Sequence, residues 1–422
     1  MVAAADENNY FLSLLLAILL QANFFSPSLA SSFGVNYGQV ADNLPSPPDV
    51  IPLFKSIGVS KVKLYDSDPA VLNAFSGTSV EFTIGLPDRC IKKIAGDPSE
   101  GLVWVKYNIL PYLPGTKITS VTIGNEVLTN DDKSVYPCLL PAMKSVHSAL
   151  ASLHLDRQIT VTTAHSLAVL ATSYPPSSSV FKKDIDPYIS EILDFLIQTD
   201  SPFLVNTYPY FAYKDDPKGI SLDYVMLDPK YDGVVDPATN ARYKNMLHAQ
   251  VDAVDFAMVR LVGKEKARCV KIIISETGWP SKGDPDEAGA TIENAKRYNR
   301  NLVRLVEGKK GTPMRSGDAL MVYVFAMFNE NLKPGPASER NYGLFNPDGT
   351  PVYKLSSHHS GSDGKNSTTA GVHGGSGFGF PNDGAFTGGY YSISSATKAE
   401  MAGLVRRIGL MWASSQLLWM IQ

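Results

Sequence analysis

Residues 272–280 read Ile-Ile-Ile-Ser-Glu-Thr-Gly-Trp-Pro. An apolar β-branched run closed by glycine and proline describes a short strand buried on both faces. Its end carries one carboxylate, Glu276. About 150 residues upstream, Val-Thr-Ile-Gly-Asn-Glu (121–126) ends in the same way on Glu126.

A strand buried on both faces belongs in a parallel sheet, and reading outward finds more of them. The β-like runs are Phe33–Tyr37, Lys61–Tyr65, Val80–Leu86, Ser120–Asn125, Gln158–His165, Phe203–Tyr208, Lys271–Glu276 and Ala319–Phe328. Helical periodicity fills several gaps between them. Leu140, Met143, Val146, Leu150 and Leu153 recur at three- and four-residue steps, as do Leu247, Val251, Val254, Met258 and Leu261, and Ile292, Ala295, Tyr298 and Leu302. Strand and helix alternating eight times predict an α/β protein of the (β/α)8 barrel type. The competing doubly wound sheet would carry a Gly-rich phosphate loop after its first strand, and none is present.

Barrels place their chemistry at the C-terminal ends of the strands. Glu126 and Glu276 fall there, on the fourth and seventh runs. One carboxyl holding a proton for a leaving oxygen, and a second meeting the positive charge at an anomeric carbon, is what acetal cleavage needs. The plain alternative is two solvated glutamates at loop edges.

Composition narrows the class. The chain has 422 residues, 44% hydrophobic, enough for one large core. A net charge of −3 with no basic stripe argues against nucleic acid as a partner. The 20 Tyr, 18 Phe and 4 Trp suit sugar stacking, although core packing accounts for most of them. Cys90, Cys138 and Cys269 allow one disulfide in an oxidising compartment, with the pair undetermined, or three small buried hydrophobes. His147 and His154 fit one helix and make no metal site.

Between the sixth and seventh runs, whose starts are about 68 residues apart, lies an insert with Tyr208-Pro-Tyr-Phe-Ala-Tyr213 and a Pro/Asp-rich stretch to Asp236. It is expected to form a small subdomain beside the mouth of the site. Residues 1–30 resemble a signal peptide: Phe11–Leu20 is apolar and Ser28-Leu29-Ala30 offers a cleavage site, although Asp6 and Glu7 stand where basic residues are usual. The barrel is expected over 31–357. A Gly/Ser/Thr-rich linker follows over 358–402, with a glycosylation sequon at Asn366, and an apolar tail over 403–422. Small residues Ser394, Ser395 and Ala396 ahead of Ile408–Gln422 fit a glycolipid-anchor signal. Arg406, Arg407 and Ser414-Ser415-Gln416 fit it less well. The expected location is extracellular, at the cell wall or anchored to the outer plasma membrane, with a vacuolar enzyme as the alternative.

With these residues assembled, the chain resembles plant endo-1,3-beta-glucanases of glycoside hydrolase family seventeen over roughly residues 33–356. The likeness rests on Phe-Gly-Val-Asn-Tyr-Gly (33–38), Val-Thr-Ile-Gly-Asn-Glu (121–126), Val-Asn-Thr-Tyr-Pro-Tyr (205–210), Ile-Ser-Glu-Thr-Gly-Trp-Pro (274–280) and Phe-Asn-Glu-Asn-Leu-Lys-Pro-Gly (328–335) in this order. It implies a barrel with a small added subdomain and retaining hydrolysis of callose-type 1,3-β-glucan. Glu126 would be the acid/base and Glu276 the nucleophile. Asn125 would meet the sugar 2-hydroxyl, and Tyr37, Asn206 and Tyr208 would border the cleavage subsite. Trp279 would offer a stacking wall. Glu330 and Lys333 match a pair near the catalytic centre, or else form a local ion pair holding their loop. Lys63 stands where the family often has arginine, and Asn329 where many members have aspartate. No metal or organic cofactor is implied, and a monomer whose partner is the polysaccharide is expected. No cysteine follows Cys269, so no cysteine-rich carbohydrate-binding module is expected. The other readings are a transglycosylase, a hydrolase of another β-glucan linkage, or a non-catalytic wall glycan-binding protein. The presence of both glutamates argues against the last.

Overall fold

A computed structural model describes residues 32–354. Eight parallel strands close into a barrel: β1 (Phe33–Asn36), β2 (Lys61–Lys63), β3 (Glu81–Leu86), β4 (Lys117–Asn125), β5 (Thr160–Ser166), β8 (Phe203–Asn206), β11 (Ile272–Thr277) and β12 (Val322–Val324). Each pairs with the barrel strand before and after it in the chain, and β1 pairs with β12 to close the ring. Apolar residues such as Val35, Val62, Ile84, Val121, Val161, Val205, Ile274 and Val322 are fully buried, as strands covered on both faces require.

The predicted helices form the outer layer. Tyr136–Ser152 buries Leu140, Met143, Val146 and Leu150, and Met246–Val262 buries Leu247, Val251, Val254 and Met258. The latter starts where Asn245 accepts a hydrogen bond from the His248 amide, a side-chain N-cap. Ile292–Glu307 is capped by Thr291 and buries Ala295, Tyr298 and Leu302, but Ile292, counted on its apolar face, is 49% exposed.

Several expectations need correction. The last strand is three residues, not Ala319–Phe328. Beyond Phe325 the backbone bonds turn away from β11: the Ala326 amide donates to Tyr342, and the Leu344 and Phe345 amides donate back to Ala326 and Met327. The sixth strand stops at Asn206 because Pro209 opens the helix Pro209–Asp215. His147 lies in the helix Tyr136–Ser152, but His154 lies past its end at φ 57°, so the two do not share a helix. None of the three cysteines is in a disulfide; Cys269 is exposed and the other two are half-buried.

Two excursions stand above the barrel on the side of the strand C-termini. After β5 the chain makes a small antiparallel pair, β6 (Leu170–Thr172) with β7 (Val180–Phe181), which the sequence reading missed. Between β8 and β11 the insert contains Pro209–Asp215, Leu222–Val225 and the hairpin β9 (Val234–Val235) with β10 (Arg242–Tyr243). Asp236 accepts from the amides of Ala238 and Thr239 within the insert and from Ser177 on the neighbouring excursion, pinning one to the other. The signal segment, Asn366, the linker and the apolar tail lie outside the described residues.

Candidate active site

Glu126 stands immediately after β4, where pairing with β5 shifts register between Thr122 and Asn125. Such a bulge re-aims the residues that follow it. Gly124 has φ +66°, and a Cβ there would come within 2.4 Å of Val127. Glu126 itself has φ 58°, uncommon for a residue with a side chain and a conformation that has to be held. Two bonds hold it: the Glu126 amide donates to the Ala164 carbonyl at 2.8 Å, and the Asn125 amide donates to Asp88 Oδ1 at 2.9 Å. Asp88 takes Asn130 Nδ2 on its other oxygen.

Glu276, on β11, also follows a register shift, between Ile274 and Glu276 against β8. Its carboxylate accepts three hydrogen bonds. Oε1 takes the Tyr65 hydroxyl at 2.6 Å and Lys63 Nζ at 3.1 Å, and Oε2 takes the Tyr208 hydroxyl at 2.9 Å. Burial and the Glu276 charge push both phenols well above their usual range, so they remain donors.

Glu126 has a different setting. Asn206 Nδ2 donates to its Oε1 at 2.8 Å. The Asn206 carboxamide is turned that way because its Oδ1 accepts the Ser275 hydroxyl at 2.6 Å. Burial, and then the nearby Glu276 charge, push the Glu126 carboxyl up to about 7. The two carboxyls thus differ in setting: Glu276 meets an ammonium and two hydroxyls, and Glu126 keeps its proton to near neutrality.

A cleft of about 1050 Å³ opens over this floor. Its wall includes Tyr37, Asn125, Tyr208, Glu276, Glu330 and Lys333 among the expected residues. Asn125 Oδ1 is buried with no protein partner. Tyr37 packs on Phe54 and Phe328, and burial raises its phenol to about 12. Three expected residues are not on the wall: Glu126, which is half-buried and held by Asn206, Asn206 itself, and Trp279. Asn206 is buried with both ends of its carboxamide engaged by protein groups, so it holds Glu126 and does not face the cleft. Trp279 is fully buried against Tyr210, Tyr213 and Tyr298 and donates Nε1–H to the Gly289 carbonyl. It is a core plate and offers no stacking face.

Glu330 and Lys333 take different side-chain partners. Glu330 Oε1 accepts the Val40 amide at 2.8 Å, tying the loop after β12 to the loop after β1. Gly38 leaves the room for this, since a Cβ there would fall within 2.5 Å of the Glu330 carboxylate. Lys333 Nζ lies 3.6 Å from Glu339 and 3.9 Å from the centre of the Phe325 ring. Glu339 sits in a short turn of 3-10 helix, Ala337–Arg340, with no periodic or strand-end signal to mark it. Tyr65 and Lys63 did carry one: both belong to Val-Lys-Leu-Tyr, in which a lysine and a tyrosine interrupt an apolar strand.

The family described as Glycosyl hydrolases family 17 matches residues 33–357. Glucan endo-1,3-beta-glucosidase 11 of Arabidopsis thaliana is 55% identical over 348 residues, 82% of this chain and 79% of that protein. Glucan endo-1,3-beta-glucosidase 10 of the same plant is 51% identical over 358 residues, 83% of each chain. Among solved structures, a beta-1,3-glucanase and pollen allergen of Cryptomeria japonica superposes with a TM-score of 0.72 at 40% identity, covering 77% of this chain and 98% of that one.

Proposed function

Because the chain belongs to family 17 of the glycosyl hydrolases, we propose that this glycoside hydrolase cleaves internal 1,3-β-D-glucosidic bonds of callose-type glucans with retention of configuration. The observation that carries the reading is the unequal setting of the two glutamates. Glu276 accepts from Lys63, Tyr65 and Tyr208, while Glu126, half-buried, accepts from one amide donor and has its carboxyl pushed up to about 7. Of two such carboxyls, the one that keeps its proton serves as the acid and the other as the nucleophile.

In the first step Glu276 attacks the anomeric carbon, the bond to the leaving oxygen breaks, and Glu126 gives that oxygen its proton. In the second, Glu126 takes a proton from water, whose oxygen displaces Glu276 from the anomeric carbon. Two inversions give net retention, a course that needs carboxyls about 5–5.5 Å apart. The unpartnered Oδ1 of Asn125 supports a contact with the 2-hydroxyl of the sugar. The open cleft supports cleavage within a chain. Sizing the early products from linear 1,3-β-glucan tests the reading. Mixed oligosaccharides support it; glucose alone contradicts it.

We extend the proposal to location. The apolar segments Phe11–Leu20 and Ile408–Gln422 support secretion and a glycolipid anchor on the outer membrane face, with a glycan on Asn366 and a monomeric enzyme. A phosphatidylinositol-specific phospholipase then releases the enzyme from membranes. A mature protein that still carries Trp419 contradicts the anchor.

A further inference from the structure

β3 ends at Leu86, which pairs with Ile123 of β4, and Pro87 turns the chain into the helix Asp88–Gly96. The first residue of that helix therefore stands beside the end of β4, just before Glu126. Asp88 spends both carboxylate oxygens there. Oδ1 accepts the Asn125 amide at 2.9 Å, and Oδ2 accepts Asn130 Nδ2 at 2.9 Å. Between these two points the chain makes one short turn, Val127–Thr129, and the Thr129 hydroxyl donates back to the Glu126 carbonyl at 2.8 Å. The Tyr136 hydroxyl holds the Asn130 carbonyl at 2.8 Å. Gly124 rests on the same support: a Cβ there would fall 2.8 Å from Asp88 Oδ1 and 2.8 Å from Ile91, one turn along the helix.

We propose, building on the acid/base role of Glu126 above, that Asp88 is a positioning residue for proton transfer, clamping the loop 125–130 at both ends so that the Glu126 carboxyl stays at the leaving oxygen. A left-handed backbone at a residue with a side chain persists only where its surroundings over-determine it. The Ala164 carbonyl holds the Glu126 amide itself; Asp88 holds the residue before it and the residue four after it. A carboxylate suits this task, because it accepts from two donors at once and brings no donor of its own. Its charge in the first turn also suits the positive end of the helix. Asp88 reaches the cleft wall as well, so a direct contact with the sugar is the competing role.

The test compares Asp88→Ala and Asp88→Asn with the wild type on two substrates, soluble 1,3-β-glucan and an aryl β-glycoside with an activated leaving group. In Asp88→Ala, kcat on glucan falls by roughly a hundredfold as the acid is displaced, with KM changed by less than about threefold. The first step on the aryl glycoside needs no proton from Glu126 and falls by less than about tenfold. The second step, which needs Glu126 as base, slows with glucan turnover, so glycosyl-enzyme accumulates. Asp88→Asn keeps an oxygen for the Asn125 amide and recovers at least about tenfold of the loss on glucan. Equal losses of the first step on both substrates overturn the proposal, because they mark a general loosening of the barrel. A raised KM with unchanged kcat overturns it in favour of a substrate contact. An asparagine variant no better than alanine overturns it too. Should Asp88→Ala fail to fold, Asp88→Ser, too short to span both donors, makes the same comparison. A wild-type protein inactive on glucan instead overturns the functional reading on which this rests.

Discussion

Asn206 Nδ2 donates to Glu126 Oε1 at 2.8 Å, and Asn206 stands in register with Glu276 on the adjoining strand. One small amide thus spans the two halves of the site. Its oxygen is held by Ser275, the neighbour of Glu276, so its nitrogen keeps facing Glu126. Replacing Asn206 by Ala removes the side-chain hydrogen bond that favours the ionised form of Glu126. The alkaline limb of kcat/KM is expected to move up, and kcat to fall by roughly ten- to a hundredfold from lost orientation. An unchanged pH profile contradicts this role.

In the proposed mechanism Glu126 acts first as an acid, so activity depends on its protonated form. With its carboxyl pushed up to about 7, kcat/KM falls as pH rises through about 7. Stability follows the same sign. The folded form holds a proton that the unfolded chain releases near its ordinary 4.5. The contribution is fully present below that value and declines as pH rises towards 7. Glu126→Gln has no such proton, so its melting temperature gains on the wild type between pH 5 and pH 7. Parallel melting curves across that interval contradict the assignment.

Removing the acid harms poor leaving groups more than good ones. Glu126→Ala is expected to lose nearly all turnover of glucan. It keeps a fast first step on an activated aryl glycoside, because that leaving group departs without a proton. Equal losses on both substrates, measured by burst kinetics, point to a different acid.

The backbone turn before Glu126 admits only glycine at position 124. Gly124→Ala places a Cβ at φ +66° and within 2.4 Å of Val127. The expected cost is about 1–3 kcal/mol of stability, with activity falling further as Glu126 is displaced. Thermal denaturation and glucan assays read both effects.

The barrel was legible because its strands are short β-branched runs, and both glutamates were legible because each ends such a run. Trp279 misled because a tryptophan just after the strand that carries Glu276 reads the same whether it faces substrate or core. Its burial is fixed by Tyr210, Tyr213 and Tyr298, which come from other segments. Glu339 left no trace, since its place beside Lys333 follows from a loop path and not from periodicity. The eighth strand was overread because the exchange of hydrogen bonds with Tyr342–Phe345 cannot be seen in a local window.

Trapping the covalent intermediate tests the central claim most directly. A 1,3-linked 2-deoxy-2-fluoro glucosyl donor with an activated leaving group slows both steps and lets the glycosyl-enzyme accumulate. Peptide mapping by mass spectrometry is expected to find the sugar on Glu276, in the peptide containing Ile-Ser-Glu-Thr-Gly-Trp, and none on Glu126. Label on Glu126, or no covalent label while the first product of glucan cleavage appears as the α-anomer, contradicts the account.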